Sequence, residues 1–474
     1  MADQYDVIII GAGPGGYTAA ARAAGFGMNV ALIEKGELGG ACVNTGCVPA
    51  KAMLQASAVY GDLKHASRFG ISVDSVGFNL KKMQAYKDES VEEYRSMIRS
   101  LLNRRNVKLI HGTAKLHKDN IVEVEGEEGS SLCVGKNIIL ATGAEPVIPD
   151  IPGVDLPQVL TSRDILSAGE WHFDRLVIIG GGVIGIEVAT IFYALGSRVT
   201  LLEKKGRLLD TMDPMISEQL EESLRSKGID VKCNVSVMEI RSRGGDSVAV
   251  SYREEGPWKE LAADRILLSV GRRPDMTKVL AEDCRVELKH GRPIVKGTYR
   301  TTQEHVYAIG DTVAKTRLAH VAAAQATYVI EHLTGKGHRM QLTVVPNGMF
   351  VVLPVVPTCI YTDPEIAAVG FTEEDARQYN MKVKCGQAFM GINGKAILAR
   401  KKMGFIRLIF EAYTDTLVGA QIMCPRATDM IGEMATAIAN GLTAYQLSTA
   451  MRAHPTYSEA ISLAIEDALK SYGG

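Results

Sequence analysis

A strand, a glycine-rich turn, a helix, a second strand and an acidic residue occur twice in this chain, and that repeat limits what it can fold into. In the first copy, residues 5–10 are apolar after Asp6, as a parallel strand covered on both faces should be, and Gly11-Ala12-Gly13-Pro14-Gly15-Gly16 follows. An Ala-rich helix is expected from Tyr17 to Ala24, then a strand from Asn29 to Ile33 that ends at Glu34. Residues 175–179 repeat the strand, and Gly180-Gly181-Gly182-Val183-Ile184-Gly185 repeats the turn. A helix from about Val183 to Leu195 and a strand from Arg198 to Leu202, ending at Glu203, complete the second copy. First glycine and acid are 23 residues apart in both copies, and the copies are 169 residues apart. One nucleotide would need one copy, so two nucleotide-binding domains are expected.

The residue types in the turn explain its chemistry. In Gly11-x-Gly13-x-x-Gly16 the first Gly permits the tight turn and the second lets a pyrophosphate approach the backbone. The third lets the helix pack closely. The helix start presents unpaired N–H groups and the positive end of its dipole to the phosphates. Glu34 is placed to accept hydrogen bonds from a ribose diol, and Gly180, Gly182, Gly185 and Glu203 repeat the arrangement. A carboxylate at Glu203 suits a free diol and repels a 2′-phosphate, which favours NAD over NADP. Lys204 and Lys205 follow at once and could host a phosphate, which pulls the other way.

Just after the first copy comes Gly39-Gly40-Ala41-Cys42-Val43-Asn44-Thr45-Gly46-Cys47-Val48-Pro49-Ala50-Lys51. Cys42 and Cys47 are either two unrelated buried thiols or a redox pair beside a redox cofactor. The Gly, Thr, Asn and Pro around them argue against a plain apolar core. On a regular helix a separation of five turns the two side chains about 140° apart. A pair therefore needs a distortion at the helix start, which Gly46 or Pro49 can provide. A helix N-terminus would also lower a thiolate pKa. Lys51, one turn beyond Cys47, is a candidate cationic neighbour for a cofactor ring.

Near the C-terminus stands Met451-Arg452-Ala453-His454-Pro455-Thr456-Tyr457-Ser458-Glu459. Thiol–disulfide exchange needs a base, because the thiolate reacts. His454 with Glu459 as orienting carboxylate would serve. The same segment also reads as an ordinary helix start, with Thr456 or Ser458 as cap and Glu459 in the first turn.

Elsewhere, Leu80–Arg104 has a charged, helical period suited to surface helices. Leu109–Gly112, Asn120–Val124 and Asn137–Leu140 read as strands leading to Ala141-Thr142-Gly143, and Pro146, Pro149, Pro152 and Pro157 mark a linker. Gly271-Arg272-Arg273-Pro274 closes the second unit. Val306–Ile309 runs into Gly310-Asp311, and a helix is expected from Ala319 to Leu333. Beyond Thr343, strand-like runs at 347–356, 382–390, 396–400 and 405–411, then two or three helices over 426–470, read as a separate α+β domain.

With 474 residues the chain exceeds one ordinary core, and two to four domains are expected. A net charge of −1 gives no support to nucleic-acid binding. No apolar run reaches membrane-spanning length, and the chain enters a strand by Tyr5, leaving no room for a leader, so the cytoplasm is expected. Cys133, Cys233, Cys284, Cys359, Cys385 and Cys424 are scattered singly and read as structural thiols. No His-x-x-x-His pair with a nearby acid marks a metal site. Neither Gly run ends in the Lys-Ser or Lys-Thr of phosphoryl-transfer loops.

Taken in order, these elements resemble the flavoprotein disulfide reductase family, and within it the members that act on lipoyl groups. The resemblance spans essentially the whole chain. It rests on Gly40-x-Cys42-Val43-Asn44-x-Gly46-Cys47-Val48-Pro49-x-Lys51 and His454-Pro455-Thr456-x-Ser458-Glu459, with Tyr361-Thr362-Asp363-Pro364-Glu365 in support. It implies an α/β fold of two Rossmann-like, three-layer nucleotide-binding domains and a C-terminal α+β dimerisation domain. The implied division is 1–148 and 277–345 for FAD, 149–276 for NAD and 346–474 for the dimer interface. FAD would lie on Gly11, Gly13, Pro14, Gly16, Glu34, Lys35 and Gly112, with Thr142, Gly143 and Gly271 nearby. Gly310 and Asp311 would hold the ribityl chain beside Leu318, Ala319 and His320. Lys51 and Glu187 would flank the flavin ring, and NAD would use Gly180, Gly182, Gly185 and Glu203. Cys42 would be the interchange thiol, Cys47 the thiol against the flavin, and His454 with Glu459 the base of the opposite subunit in a homodimer. The lipoyl group would come from a separate acyltransferase or glycine-cleavage carrier protein. Arg452 departs from the pattern, since such members often carry a second His there, and residues 321–326 lack the usual charges. Mercuric reductases end in paired cysteines and this chain does not, while glutathione and trypanothione reductases use NADP, against Glu203. A quinone or small-molecule diaphorase and a non-catalytic flavin-bearing component are the remaining alternatives.

Overall fold

Strand β1 (Asp3–Ile10) supplies two hydrophobic cores at once. Successive side chains of a strand point to opposite faces, so Val7 and Ile9 enter one core while Ile8 and Ile10 enter the other. This is why the run is apolar without alternation. The computed structural model describes residues 3–127, 129–167, 173–336, 343–344, 350–351 and 355–470. They divide into two compact units, one comprising 1–150, 154–173 and 266–339, the other 151–153, 174–265 and 340–474.

In the first unit β1 pairs in parallel with β2 (Val30–Glu34), which pairs with β3 (Lys108–His111). β4 (Thr113–Leu116) and β5 (Ile121–Gly126) form an antiparallel extension through β6 (Gly129–Leu140). The long β6 has two roles. Its first half pairs with β5, and Ile138–Leu140 lie between β1 and the strand Val306–Ala308. Helix α1 (Pro14–Gly25) packs its Ala19, Ala20 and Ala23 into the same core as Ala326, Val329 and Ile330 of the helix Ala319–Leu333. Of the alanines in 321–326, Ala326 lies in this core and Ala322 faces Gly15 of α1, whereas Ala324 is exposed. Helices α2 (Gly40–Asn44), α3 (Cys47–Lys64) and α4 (Leu80–Arg104) follow β2 before the chain re-enters the sheet at β3.

The second unit repeats the parallel pattern. The strands Arg175–Ile179, Arg198–Leu202 and Asp230–Lys232 lie side by side, with the helix Val183–Ala194 between the first two in sequence. Ser236–Gly244, Ser247–Arg253 and Lys259–Ala263 form a three-stranded antiparallel sheet. Farther along, Thr358–Ile360, Ile366–Gly370, Leu417–Met423, Phe405–Glu411 and Val383–Phe389 form a five-stranded antiparallel sheet in that order. Helices Ala427–Ala439 and Glu459–Lys470 share its core. No described helix is long and apolar enough to cross a membrane.

The strand expected at 396–400 is instead part of a short helix, Gly394–Leu398. The Asn393 side chain caps it, accepting the Ala396 N–H at 3.0 Å, and this local bond overrides the apolar run. Most of the run expected at 347–356 lies outside the described residues.

Helix Glu459–Lys470 sits directly on strand Val383–Phe389 at Gly386. A Cβ there would collide with the Ala464 carbonyl and come within 2.6 Å of the Ala468 nitrogen. Gly386→Ala should therefore lift the helix and destabilise the second unit by about 1–3 kcal/mol, read as a lowered thermal midpoint. An unchanged midpoint would show that the helix has room to move.

Candidate active site

The two sulfurs meet because the helix between them is interrupted. Cys42 lies in the five-residue α2, and Cys47 opens α3. Between them Thr45 (φ −141°, ψ 16°) and Gly46 (φ −141°, ψ −106°) leave the helical region. A Cβ on Gly46 would sit 2.9 Å from the Ala41 carbonyl oxygen, so the turn closes only on glycine. Pro49 lies within the first turn of α3, where a missing N–H costs nothing, and it makes no break. Cys42 shares a hydrogen bond with Cys47. That bond is the largest cause raising the Cys42 pKa, ahead of burial. Lys51 pulls the other way and Asp311 adds to the rise. The lowering expected from a helix N-terminus is thus not found at Cys42, where the Cys47 hydrogen bond and burial outweigh it.

Asn44 stiffens this segment in a way the sequence reading did not assign. Its Nδ2 donates to the carbonyls of Gly40 at 2.8 Å and Leu38 at 3.1 Å, while its Oδ1 accepts from Arg95 Nε of α4 at 2.6 Å. Tyr17 of α1 also borders the sulfurs. Burial, then Tyr94, Cys42 and Cys47, push its phenol up to about 12, so it stays neutral.

Both dinucleotide turns have the expected form. Gly11 (φ +100°) has room only for hydrogen, since a Cβ would lie 2.5 Å from the Ala141 oxygen. Gly13 precedes α1 with Pro14 in its first turn, Gly16 is buried, and no side chain caps the helix. Glu34 Oε2 accepts the Ala12 N–H at 2.6 Å and Oε1 the Gly36 N–H at 2.9 Å, with Lys35 exposed between them. The second unit copies this closely. Glu203 Oε2 accepts from Gly181 at 2.5 Å and Oε1 from Lys205 at 2.7 Å, while Gly182 precedes an equally uncapped helix that buries Gly185. Gly180 (φ +114°) takes the place of Gly11. Each carboxylate oxygen keeps a lone pair for a ribose hydroxyl. A Cβ on Gly182 would meet nothing within 4 Å, which leaves space where a pyrophosphate would lie.

Asp311 is among the remaining predicted residues of the first unit. It sits in the turn Gly310–Thr312, where burial raises its carboxyl pKa against Arg272 and Arg317. Such a desolvated acceptor fits a polyol chain. The Gly310 N–H donates to Gln325 Oε1 at 2.7 Å, and the Gly143 N–H to the fully buried Thr312 Oγ1 at 3.0 Å, with Thr142 Oγ1 at 3.5 Å from the same oxygen. Gly112 donates to the Glu34 carbonyl at 2.9 Å, and Gly271 accepts the Val147 N–H at 2.9 Å. Leu318 precedes an uncapped helix that begins with Ala319 and the exposed His320. Gln325 and Thr312 were not anticipated, since a lone Gln or Thr has no spacing signal.

In the second unit Glu187 is buried and accepts the Tyr361 N–H at 3.2 Å. His454 Nδ1 is 2.8 Å from Glu459 Oε1, and Glu459 Oε2 accepts the Thr456 N–H at 2.8 Å. Glu459 stands in the first turn of its helix as expected, while the Thr456 hydroxyl donates to the Ala453 carbonyl at 2.7 Å. The His454 side chain is 77% exposed, so its Nε2 edge can receive a proton. Asn393 Nδ2 donates to the Thr456 carbonyl at 3.0 Å and pins the turn. Arg452 is buried and bound to Glu433 at 2.5 Å and Ser462 at 2.9 Å, so it works as an anchor.

Comparison with known proteins gives the class. A profile described as pyridine nucleotide-disulphide oxidoreductase matches residues 5–326, and the dimerisation domain of that family matches 356–465. A Bacillus subtilis protein named dihydrolipoyl dehydrogenase is 34% identical over 97% of this chain and 97% of its own length. A Glycine max protein named leghemoglobin reductase is 34% identical over 99% of this chain and 88% of its own. The Cu(II) complex of the HOCl-induced flavoprotein disulfide reductase RclA from Escherichia coli aligns with a TM-score of 0.86 and 26% identity, covering 98% of this chain and 99% of that one. The chain is an oxidoreductase with two Rossmann-type domains, using FAD and NAD, and a C-terminal dimerisation domain. It belongs to the pyridine nucleotide-disulphide oxidoreductase family.

The Thr456 N–H and then His454 hold Glu459 below the usual carboxylate range. A depressed carboxyl stabilises the fold above its unfolded pKa and loses that contribution as pH falls through the folded value. The thermal midpoint of Glu459→Gln should therefore trail that of the parent most near neutrality, with the gap closing in acid. A gap that does not vary with pH would refute the pairing.

Proposed function

We propose that this chain oxidises protein-bound dihydrolipoamide to lipoamide through a Cys42–Cys47 disulfide, with NAD+ as final acceptor. The hydrogen-bonded sulfur pair beside Lys51 and Asp311, in the unit holding the Gly11–Gly16 cradle, is the observation that carries the reading. The near-full-length likeness to a protein named dihydrolipoyl dehydrogenase supports the substrate class. Gly11, Gly13, Gly16, Glu34 and Asp311 would hold FAD, with Lys51 and Glu187 by its ring, and Gly180, Gly182, Gly185 and Glu203 would hold NAD. Held there, FAD would supply two-electron transfer between the reduced sulfur pair and NAD+.

The protein's own residues perform the thiol chemistry. His454 Nε2 takes the proton of one substrate thiol, while Glu459 holds Nδ1 and stabilises the imidazolium. The substrate thiolate attacks Cys42 Sγ, the Cys42–Cys47 bond breaks, and Cys47 leaves as thiolate beside Lys51. The second substrate thiol then closes on the first, expelling Cys42, which takes up the proton. The substrate loses two electrons and two protons; the pair gains the electrons as the Cys42 thiol and the Cys47 thiolate, with one proton on Cys42 and the other on His454. In the homodimer the base of one copy serves the sulfurs of the other, and the lipoyl group arrives on a separate acyltransferase or glycine-cleavage carrier protein in the cytoplasm.

Anaerobic titration with dihydrolipoamide should produce a long-wavelength thiolate-to-flavin absorbance. Cys47→Ser should abolish that band and lipoamide turnover while FAD stays bound; turnover in that variant would sink the mechanism. His454→Gln should slow dihydrolipoamide oxidation by about 10²–10⁴-fold, with NADH oxidation by a quinone retained. Equal loss of both activities would remove His454 from the thiol half-reaction.

A further inference from the structure

The segment following Glu203 carries three cations, Lys204, Lys205 and Arg207. Beside a ribose acceptor, such a cluster would ordinarily receive a 2′-phosphate. Here two of the three are tied elsewhere. The Lys205 ammonium pairs with the Asp210 carboxylate, while the Lys205 backbone N–H is held by Glu203 Oε1 at 2.7 Å. The guanidinium of Arg207 donates to the Asp210 carbonyl oxygen at 3.0 Å and lies 3.4 Å from the Glu374 carboxylate. The loop that carries Asp210 is fixed in place. Leu209 donates to the Gly181 carbonyl at 3.1 Å, and Asn234 donates to the Lys205 carbonyl at 2.8 Å.

We propose that Asp210 is a specificity-determining residue, whose carboxylate holds Lys205 away from the ribose edge of Glu203 and so preserves the preference for a free 2′-hydroxyl over a 2′-phosphate. The inference rests on the NAD reading above. An exposed ion pair is weak, but it needs only to set where a mobile ammonium spends its time. Glu203 alone repels a phosphate, and a released Lys205 would offset that repulsion at close range.

The test is calorimetric titration of the FAD-loaded dimer with ADP-ribose and with 2′-phospho-ADP-ribose, which involves no turnover. The parent protein should favour ADP-ribose. Asp210→Asn keeps the carbonyl that Arg207 uses and should shift the affinity ratio toward the 2′-phospho ligand by about fivefold, about 1 kcal/mol. Adding Lys205→Gln should restore the parent ratio. A ratio unmoved by Asp210→Asn, or a shift that survives in the double variant, would overturn the proposal. A parent protein that binds both ligands equally would instead overturn the NAD reading.

Discussion

Two sulfurs five residues apart can share a hydrogen bond only if the chain between them leaves the helix, and most of the chemistry here depends on that interruption. Thr45 and Gly46 provide it, and the Ala41 carbonyl crowds Gly46 so closely that a side chain has no room. Asn44, held by Arg95 of α4, braces the interruption. A continuous helix over residues 40–64 would aim the thiols apart and leave two unrelated cysteines. The dinucleotide cradle alone would not make this a thiol enzyme.

The two cradles repeat their electrostatics as well as their spacing. In each, one carboxylate grips the N–H after the first glycine of the turn and a second N–H two residues beyond itself. The acid is therefore part of the turn before any nucleotide arrives. Its position is preset for a diol, which lowers the ordering cost of binding.

Much of this was legible because the signals are local. Strand, glycine turn and helix follow from apolar runs and backbone sterics, and helix Leu80–Arg104 matches its periodicity end to end. Strands such as Ile366–Gly370 and Leu417–Met423 escaped because Ala and Gly dilute their apolar runs. The run at 396–400 misled because a capping Asn outweighs apolar residues over so short a stretch. At the site, cysteines, histidine and acids were visible by type and spacing. Asn44, Thr312 and Gln325 were not, since each acts on a backbone group far away or on a partner that only folding brings near.

Glu459 divides its two oxygens between a helix start and an imidazole. The base and the helix that presents it are therefore coupled through one side chain. A residue with a single acceptor oxygen at this position has to give up one of the two bonds. Anyone transplanting this proton acceptor into another scaffold would have to carry its first helical turn along with it.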